Sequence, residues 1–252
     1  MSHFFVFCFS LLFIYYLPAA SNNYQDLLDK GLIKKQEKPA LHLGCGESYL
    51  PGHINIDLPF ADRPLHVKNG PDYFYNILDL RFPMNSISKI ENHHMFEHFS
   101  RPVSLALLCA WYLWLDINGE IVIETPDFEG ITQRYLETSS FSTRQVIIRH
   151  LFGSHEASWA YHYDGWSHDK FAYILSELGF RLEDSHRYSW NNLDNIIIKA
   201  RKARILTLEQ IKQTAYAILQ LSCVDRSESE YKMWQGWCQE FDRALSVMIC
   251  DP

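Results

Sequence analysis

The segment "LHLGCGESYLPGHINIDL", residues 41–58, restricts the possible folds of this chain more than any other. A short apolar run leads directly into Gly44-Cys45-Gly46, and an alternating run then ends at Asp57. Because glycine has no Cβ, the backbone at such a turn can touch a ligand. Neighbouring strands of a doubly wound sheet end side by side where ligands bind, and an acid there can accept hydrogen bonds from both hydroxyls of a ribose. The segment therefore predicts two strands with a ligand site at their ends; the alternative is a tight structural turn with a surface aspartate.

The connection between these two strands is short. Seven residues, Glu47 to His53, separate the glycine turn from the second strand. A parallel crossover normally takes a dozen or more residues and usually includes a helix. We therefore expect the helix that would follow the first strand to be missing or reduced to a turn.

The rest of the chain alternates between strand and helix patterns. The predicted strands are "YFYNILDL", "SKIENHHM", "EIVIETPDF" and the two runs of "RLEDSHRYSWNNLDNIIIKARK", which meet at Asn191-Asn192. The predicted helices include an apolar run from Pro102 that stops at Asn118-Gly119 and an amphipathic run between Ser167 and Gly179. This order indicates an α/β fold with a doubly wound, mostly parallel sheet, an antiparallel edge hairpin and C-terminal helices.

Length and composition suit one α/β domain with appendages. The chain has 252 residues, 47% of them hydrophobic and 21% charged, which is enough apolar material for a sizeable core. We predict a leader over residues 1–20, a main domain over 21–204 and a helical extension over 205–252. In that extension an apolar stripe indicates packing on the main domain or, alternatively, a homodimer interface. The stripe consists of Trp234, Trp237, Phe241 and Leu245.

The leader carries an uncharged apolar run over residues 4–17, which is shorter than the ~20 residues that span a bilayer. It resembles the apolar part of a signal peptide, but it lacks the usual preceding Lys or Arg. An interfacial anchor, an uncleaved export signal and a start codon placed too far upstream all remain open. We expect a cytoplasmic protein, with membrane contact through this segment if it is an anchor.

Charge and cysteine usage exclude some classes of function. The formal net charge of −7 disfavours binding to nucleic acid, which needs clustered Lys and Arg. Six cysteines are widely spaced without a C-x-x-C pair, which argues against a zinc ribbon or a redox motif. We expect reduced thiols and no nucleic-acid partner.

Five motifs together resemble a known family. "LHLGCG", the acid of "INID", "LDLRFPMNSISKIENHHMFEHF", "WYLWLDINGEIVIETPDFEG" and "FAYILSELGFRLED" occur in this order in class I S-adenosylmethionine-dependent methyltransferases. Within that family, the chain resembles the type 11 group of small-molecule methyltransferases that is associated with saccharide biosynthesis. The resemblance covers roughly residues 39–202. It implies a Rossmann-like fold, S-adenosyl-L-methionine as cofactor, and a small polar acceptor such as a saccharide hydroxyl.

The resemblance also implies roles for individual residues. Gly44 and Gly46, with Cys45 between them, would contact the methionine part of the cofactor. Asp57 would bind the ribose hydroxyls.

Further along the chain, Asp79 would lie beside the adenine, with Leu80 as an apolar wall. His94 would lie near the cofactor sulfonium and the substrate entrance. Asp127, at the end of the fifth strand, would face the substrate.

The stretch "HHMFEH" allows two interpretations. On a helix, His94-x-x-Glu97-His98 is a zinc-hydrolase spacing, with a third ligand such as Glu124 or His155 supplied from elsewhere. A strand through His93 followed by a short turn fits the pattern better. Methyl transfer itself needs no metal, so we assign no metal ligands. His94 or His98 would then take the proton of an acceptor hydroxyl with Glu97 orienting the ring, unless Glu97 and His98 merely cap the next helix.

A second polar cluster lies in "GSHEASWAYHYDGWSHDK". Aromatic faces interleaved with hydrogen-bonding groups suit a sugar or another polar ring, and the segment falls where such enzymes carry a substrate loop. The candidate substrate-binding residues are His155, Trp159, His162, Tyr163 and His168. The alternative is a loop that packs its tryptophans on the sheet edge. A degenerate domain that binds the cofactor without transfer chemistry is the competing non-enzymatic interpretation.

Overall fold

The computed structural model describes residues 22–58 and 70–250, and the predicted leader lies outside this range. Within it, seven strands form one sheet. They are β1 (Ala40–Leu43), β2 (Ile54–Asp57), β3 (Tyr73–Phe74), β4 (Ile87–His93), β5 (Leu115–Pro126), β6 (Phe180–Trp190) and β7 (Leu193–Lys202). The sheet order is β3-β2-β1-β4-β5-β7-β6; the pairs β5–β7 and β7–β6 are antiparallel, and the other four pairs are parallel. The predicted fold class is therefore confirmed.

No helix joins β1 to β2, as the short connection predicted. Instead, the buried side chain of Asn55 holds the connection by accepting a hydrogen bond from Leu50 N at 2.9 Å and donating to Leu50 O at 3.1 Å. The same amide oxygen lies 2.9 Å from Nδ1 of His42, on the neighbouring strand. A side chain thus satisfies buried backbone groups that a crossover helix would otherwise satisfy internally.

Seven helices occur in the described part of the chain. They are α1 (Asn23–Asp29), α2 (Arg101–Trp114), α3 (Phe128–Glu137), α4 (Phe141–Phe152), α5 (His168–Glu177), α6 (Leu208–Gln220) and α7 (Glu228–Met248). The N-cap at Ser167 and the left-handed Gly179 bound α5 as predicted. Among these helices, none has the length and apolar character needed to cross a membrane.

Helix α2 ends earlier than predicted. The Asn118-Gly119 stop signal predicted a helix four residues longer, but Leu115 already belongs to β5 and pairs with Ile87 of β4. Leu115 is fully buried, so pairing with the sheet interior outweighs the local signal, and Asn118 adopts its left-handed conformation inside the strand.

One further segment differs from the sequence-based prediction, and another received no prediction. "YFYNILDL" forms only the two-residue strand β3, after which Asn76 caps a 3₁₀ turn at Ile77–Asp79. Between β5 and the predicted substrate segment, where no element was predicted, the chain forms α3 and α4. The side chains of Asp127 and Ser140 accept hydrogen bonds from Gly130 N and Thr143 N, and these N-caps start the two helices.

The C-terminal helices pack on the main domain through α2. Phe241 and Leu245 of the predicted stripe are buried, and Trp114 of α2 donates from Nε1 to Met248 O at 3.1 Å. The aromatic ring of Trp237 lies 5.3 Å from the guanidinium of Arg101. This arrangement supports the packing interpretation of the stripe, and the homodimer stays a prediction.

Lys202 is a buried cation at the end of β7. Its Nζ donates to Asn85 Oδ1 at 2.9 Å and to Leu115 O at 2.7 Å, and the residue is 4% exposed. Burial lowers the pKa of Lys202 to about 8. The unfolded chain then binds the lysine proton more tightly than the folded chain does. Lys202 therefore lowers the free energy of unfolding at neutral pH, and this penalty shrinks as the pH rises above 8.

We predict that the penalty from Lys202 disappears as the pH rises from about 8 to the ordinary lysine pKa of about 10.4. The free energy of unfolding should rise over this range by up to about 1.4 kcal/mol per pH unit. Lys202→Met should remove this gain. Urea unfolding at several pH values measures it, and Lys199→Met, an exposed position on the same strand, is the control. Equal pH dependence in the two variants would contradict the prediction.

Candidate functional site

The glycine turn is bonded directly to the end of β2. Gly44 N and Cys45 N both donate to Ile56 O, at 2.9 and 3.2 Å. Gly46 N donates to Asp57 Oδ2 at 2.5 Å, and Leu58 N donates to Asp57 Oδ1 at 2.7 Å. Burial raises the pKa of Asp57, and these amide hydrogen bonds oppose that rise. The turn and the acid therefore form one unit at the carboxyl edge of the sheet.

The two glycines of the turn face different surroundings, although both have positive φ. A Cβ on Gly44 would lie 2.5 Å from Met95 Cγ, so this glycine makes room for the segment that follows β4. A Cβ on Gly46 would meet nothing within 4 Å. The structure thus leaves open space for a ligand at Gly46, whereas Gly44 serves packing.

The remaining predicted cofactor residues differ in accessibility. Cys45 is 5% exposed, and burial raises the pKa of its thiol to about 12, so it is an unreactive packing group. Asp79 is exposed and accepts a hydrogen bond from Asn76 Nδ2 at 2.8 Å. Leu80 is fully buried in the core. The role of Leu80 as an apolar wall beside the adenine stays a prediction.

We predict that Gly44→Ala lowers the free energy of unfolding by about 2–4 kcal/mol, because it adds a clash with Met95 to the backbone strain. Gly46→Ala should lower it by about 1 kcal/mol, since only the strain applies. Urea unfolding of both variants measures the difference. Equal losses would show that the two glycines share one environment.

A network of charged groups lies at the carboxyl ends of β4 and β5, and Glu124 is its centre. Glu124 Oε2 lies 2.5 Å from Nδ1 of His93, and Oε1 lies 3.1 Å from Nε2 of His94. Tyr188 of β6 donates its hydroxyl to Glu124 Oε1. Burial raises the pKa of Glu124, but the hydrogen bonds from His93, His94 and Tyr188 outweigh it and hold the pKa well below its ordinary value.

Most contacts of this network were not predicted from the sequence. His93 and Tyr188 received no role, and Glu124 entered only as one candidate for a zinc ligand. The available signal was Glu124 directly after the apolar residues "IVI" in "EIVIETPDF", because a charge in a buried strand needs a partner. Which groups would partner it depended on the pairing of β5 with β4 and β7, which the pattern did not specify.

His94 and His98 do not share a helix. His94 has a φ of 49°, β4 ends one residue before it, and Phe96–His98 is a single 3₁₀ turn. The helical zinc-hydrolase motif is therefore contradicted, because its two histidines must lie one turn apart on one face.

His94 is held between two carboxylates. Its Nδ1 lies 3.4 Å from Glu97 Oε1, and its Nε2 lies 3.1 Å from Glu124 Oε1. Burial lowers the pKa of His94, but the interaction with Glu124 and the charge of Glu97 outweigh burial and raise the pKa to about 10. A ring that is already protonated at neutral pH cannot accept another proton, so the position disfavours His94 as a general base.

The structure brings one part of the predicted substrate segment to the "HHMFEH" turn. Nδ1 of His98 lies 3.0 Å from Tyr161 O, Tyr163 N donates to Glu97 O at 2.9 Å, and the rings of His98 and His162 are 4.7 Å apart. His162 and Tyr163 therefore lie beside Glu97 and His98.

The other predicted substrate residues have separate contacts. His155 stacks on Tyr161 with ring centroids 4.2 Å apart, and its Nε2 lies 2.8 Å from Phe152 O. Trp159 is 41% exposed, and Nδ1 of His168, the first residue of α5, lies 3.0 Å from Asp169 Oδ1. Their substrate-binding roles stay predictions.

Asp127 has a structural role that its sequence position did not reveal. It accepts from Gly130 N at 3.3 Å as the N-cap of α3 and lies 3.1 Å from Arg187 Nε. It is 1% exposed, and burial raises its pKa. The position at the end of β5 is as predicted, but a buried carboxylate that caps a helix has little surface for a substrate.

We predict that Glu124→Gln lowers the pKa of His93 by at least about one unit from its present value of about 9. The reason is that the hydrogen bond to Glu124, followed by that to Glu91, holds the pKa of His93 above its ordinary value. NMR titration of the His93 ring measures the change. Glu183→Gln on β6 is the matched control, and an unchanged His93 titration in Glu124→Gln would refute the role of Glu124.

No family model and no curated protein matches the chain. Several solved methyltransferase structures are similar to it at low identity. A SAM-dependent methyltransferase from Methanosarcina mazei is 14% identical, with a TM-score of 0.45 and coverage of 70% of this chain and 98% of that one. The 1,6-didemethyltoxoflavin-N1-methyltransferase of Burkholderia thailandensis, with bound S-adenosylhomocysteine, is 15% identical, with a TM-score of 0.45 and coverage of 71% and 75%. The magnesium protoporphyrin IX methyltransferase of Synechocystis is 13% identical, with a TM-score of 0.42 and coverage of 71% and 80%.

Proposed function

We propose that this chain is a class I S-adenosylmethionine-dependent methyltransferase that acts on a small polar acceptor. The observation that carries the proposal is the hydrogen bond between Gly46 N and the carboxylate of Asp57, beside the ends of β1 and β2. In an open α/β sheet, ligands bind at the carboxyl edge where the strand order reverses, here between β1 and β4. The resemblance of the five sequence motifs points to the same cofactor.

The residues at this edge fit the proposed cofactor. Each oxygen of Asp57 accepts one backbone N–H, and a carboxylate has about four acceptor positions, so two ribose hydroxyls can still donate to it. The space beside Gly46 is open. When bound, S-adenosyl-L-methionine supplies an electrophilic methyl group on a sulfonium. The role of the protein is then to hold an acceptor atom in line about 3 Å from that methyl carbon.

The acceptor side of the proposed site is the turn that contains His94, Glu97 and His98. His94 is a cation there and can donate a hydrogen bond to an acceptor oxygen. Because a carbonyl oxygen only accepts, the contact with Tyr161 O places the proton of His98 on Nδ1 and leaves Nε2 as an acceptor. Of the two histidines, His98 is therefore the one suited to remove a hydroxyl proton.

We infer a saccharide hydroxyl as the acceptor. Tyr163 is bonded through its backbone to Glu97 and is 60% exposed, and Tyr161 beside it is 42% exposed. Exposed aromatic faces next to hydrogen-bonding side chains suit a polar ring compound. We also expect the protein to act in the cytoplasm, where it would meet its cofactor.

We predict that the protein binds S-adenosylhomocysteine and that Asp57→Ala weakens binding at least about tenfold, which corresponds to about 1.4 kcal/mol. The loss follows from removing the acceptor of the ribose hydroxyls at the glycine turn. Calorimetric titration measures both affinities, and Asp29→Ala, an exposed acid on α1, is the control. A folded protein without affinity for this ligand would refute the methyltransferase function.

Turnover separates an enzyme from a degenerate binder. The protein is incubated with S-adenosyl-L-methionine and separate sets of saccharides and amines, and S-adenosylhomocysteine release is measured. Release that depends on saccharides supports the proposed acceptor class, and release that depends only on amines refutes it. Binding without release in any set would favour the degenerate domain.

A further inference from the structure

Glu97 is a buried carboxylate without a hydrogen-bond donor. The residue is 2% exposed, and neither of its side-chain oxygens has a hydrogen-bond partner among the described residues. The nearest ring nitrogens lie beyond close hydrogen-bonding distance, with His94 Nδ1 at 3.4 Å and His162 Nε2 at 3.9 Å from Oε1. Burying a carboxylate in this way is unfavourable unless a cation or a set of donors compensates it.

Two histidines from different segments face this carboxylate. His98 belongs to the same 3₁₀ turn as Glu97, whereas His162 belongs to the segment between α4 and α5. One ligand atom from each of Glu97, His98 and His162 lies within 4.8 Å of the other two. Small side-chain rotations can bring three such atoms to the ~2 Å distance at which zinc binds nitrogen and oxygen.

A backbone contact orients the ring of His98, one of the three groups. Nδ1 of His98 donates to Tyr161 O at 3.0 Å, which leaves Nε2 with its lone pair. Histidines that bind metals commonly donate their other ring nitrogen to a backbone carbonyl in this way. The hydrogen bond from Tyr163 N to Glu97 O fixes the two segments against each other next to the three ligands.

We propose that Glu97, His98 and His162 bind one divalent transition-metal ion of the zinc class. Two imidazoles and one carboxylate are a donor set that such ions favour, and three protein ligands leave a fourth position for water or a substrate oxygen. This proposal differs from the sequence-based expectation, which assigned no metal ligands. It differs from the helical hydrolase motif because His162 takes the place of His94.

The use of the ion in catalysis rests on the proposed function. An acceptor hydroxyl in the fourth position would have a lower pKa and lose its proton to solvent. The acceptor oxygen would then form its bond to the methyl carbon as the carbon–sulfur bond breaks and S-adenosylhomocysteine leaves. With the ion bound, His98 is a ligand, and the ion replaces it in activating the hydroxyl.

Metal binding is tested on the full-length protein after removal of metals with a chelator. Co²⁺ is titrated in and its visible d–d absorption recorded, and Zn²⁺ is then added as competitor. We expect one tightly bound Co²⁺ per chain, displaced by Zn²⁺. His162→Ala and Glu97→Gln should each weaken binding at least about tenfold. His155→Ala and His168→Ala, which remove other histidines of "GSHEASWAYHYDGWSHDK" outside the trio, should leave binding unchanged.

A second readout guards against variants that fail to fold. Zn²⁺ should raise the thermal unfolding midpoint of the wild type and of His155→Ala, but not that of His162→Ala. Absence of Co²⁺ binding by the folded wild type, or binding that His162→Ala leaves unchanged, would overturn the proposal. Titration with S-adenosylhomocysteine in the presence of chelator tests the cofactor site separately, so failure of one proposal is distinguishable from failure of the other.

Discussion

The hydrogen bonds between the glycine turn and the end of β2 connect the parts of this structure on which the rest depends. Without a crossover helix, β1 and β2 could not stay in register unless other groups satisfied the backbone between them. Ile56 O accepts from two amides of the turn, and the carboxylate of Asp57 accepts from a third. The same contacts that hold the strands together place an acid next to open space at Gly46. Stability and the proposed cofactor site therefore have one physical origin.

At the other side of the sheet's carboxyl edge, burial and charge compete. Glu124 is 7% exposed, yet it stays ionised because two histidines and a tyrosine donate hydrogen bonds to its carboxylate. His93 and His94 are in turn held as cations by this carboxylate and its neighbours. Glu97 lies in the same region but lacks donors of its own, which makes it the group whose environment is incomplete. That difference between two nearby acids motivates the proposed metal site.

The two halves of the site meet at Met95. Its side chain packs against Gly44, and it lies between His94 and the 3₁₀ turn that carries Glu97 and His98. A shift of this short segment would therefore displace both the glycine turn and the 3₁₀ turn that carries Glu97 and His98. Packing of this kind transmits small displacements because protein interiors contain few voids.

The sequence by itself determined the fold class, the missing crossover helix and the position of Asp57 beside the glycine turn. These features depend on local periodicity, on glycine and on chain length, all of which can be read from neighbouring residues. Tertiary structure alone decided that α2 stops at Trp114, that Gly44 makes room for Met95, and that His94 lies between two carboxylates. It also decided that His162, 64 residues after His98 in sequence, lies beside it. Sheet pairing and burial set these outcomes, and both depend on which distant segments come together.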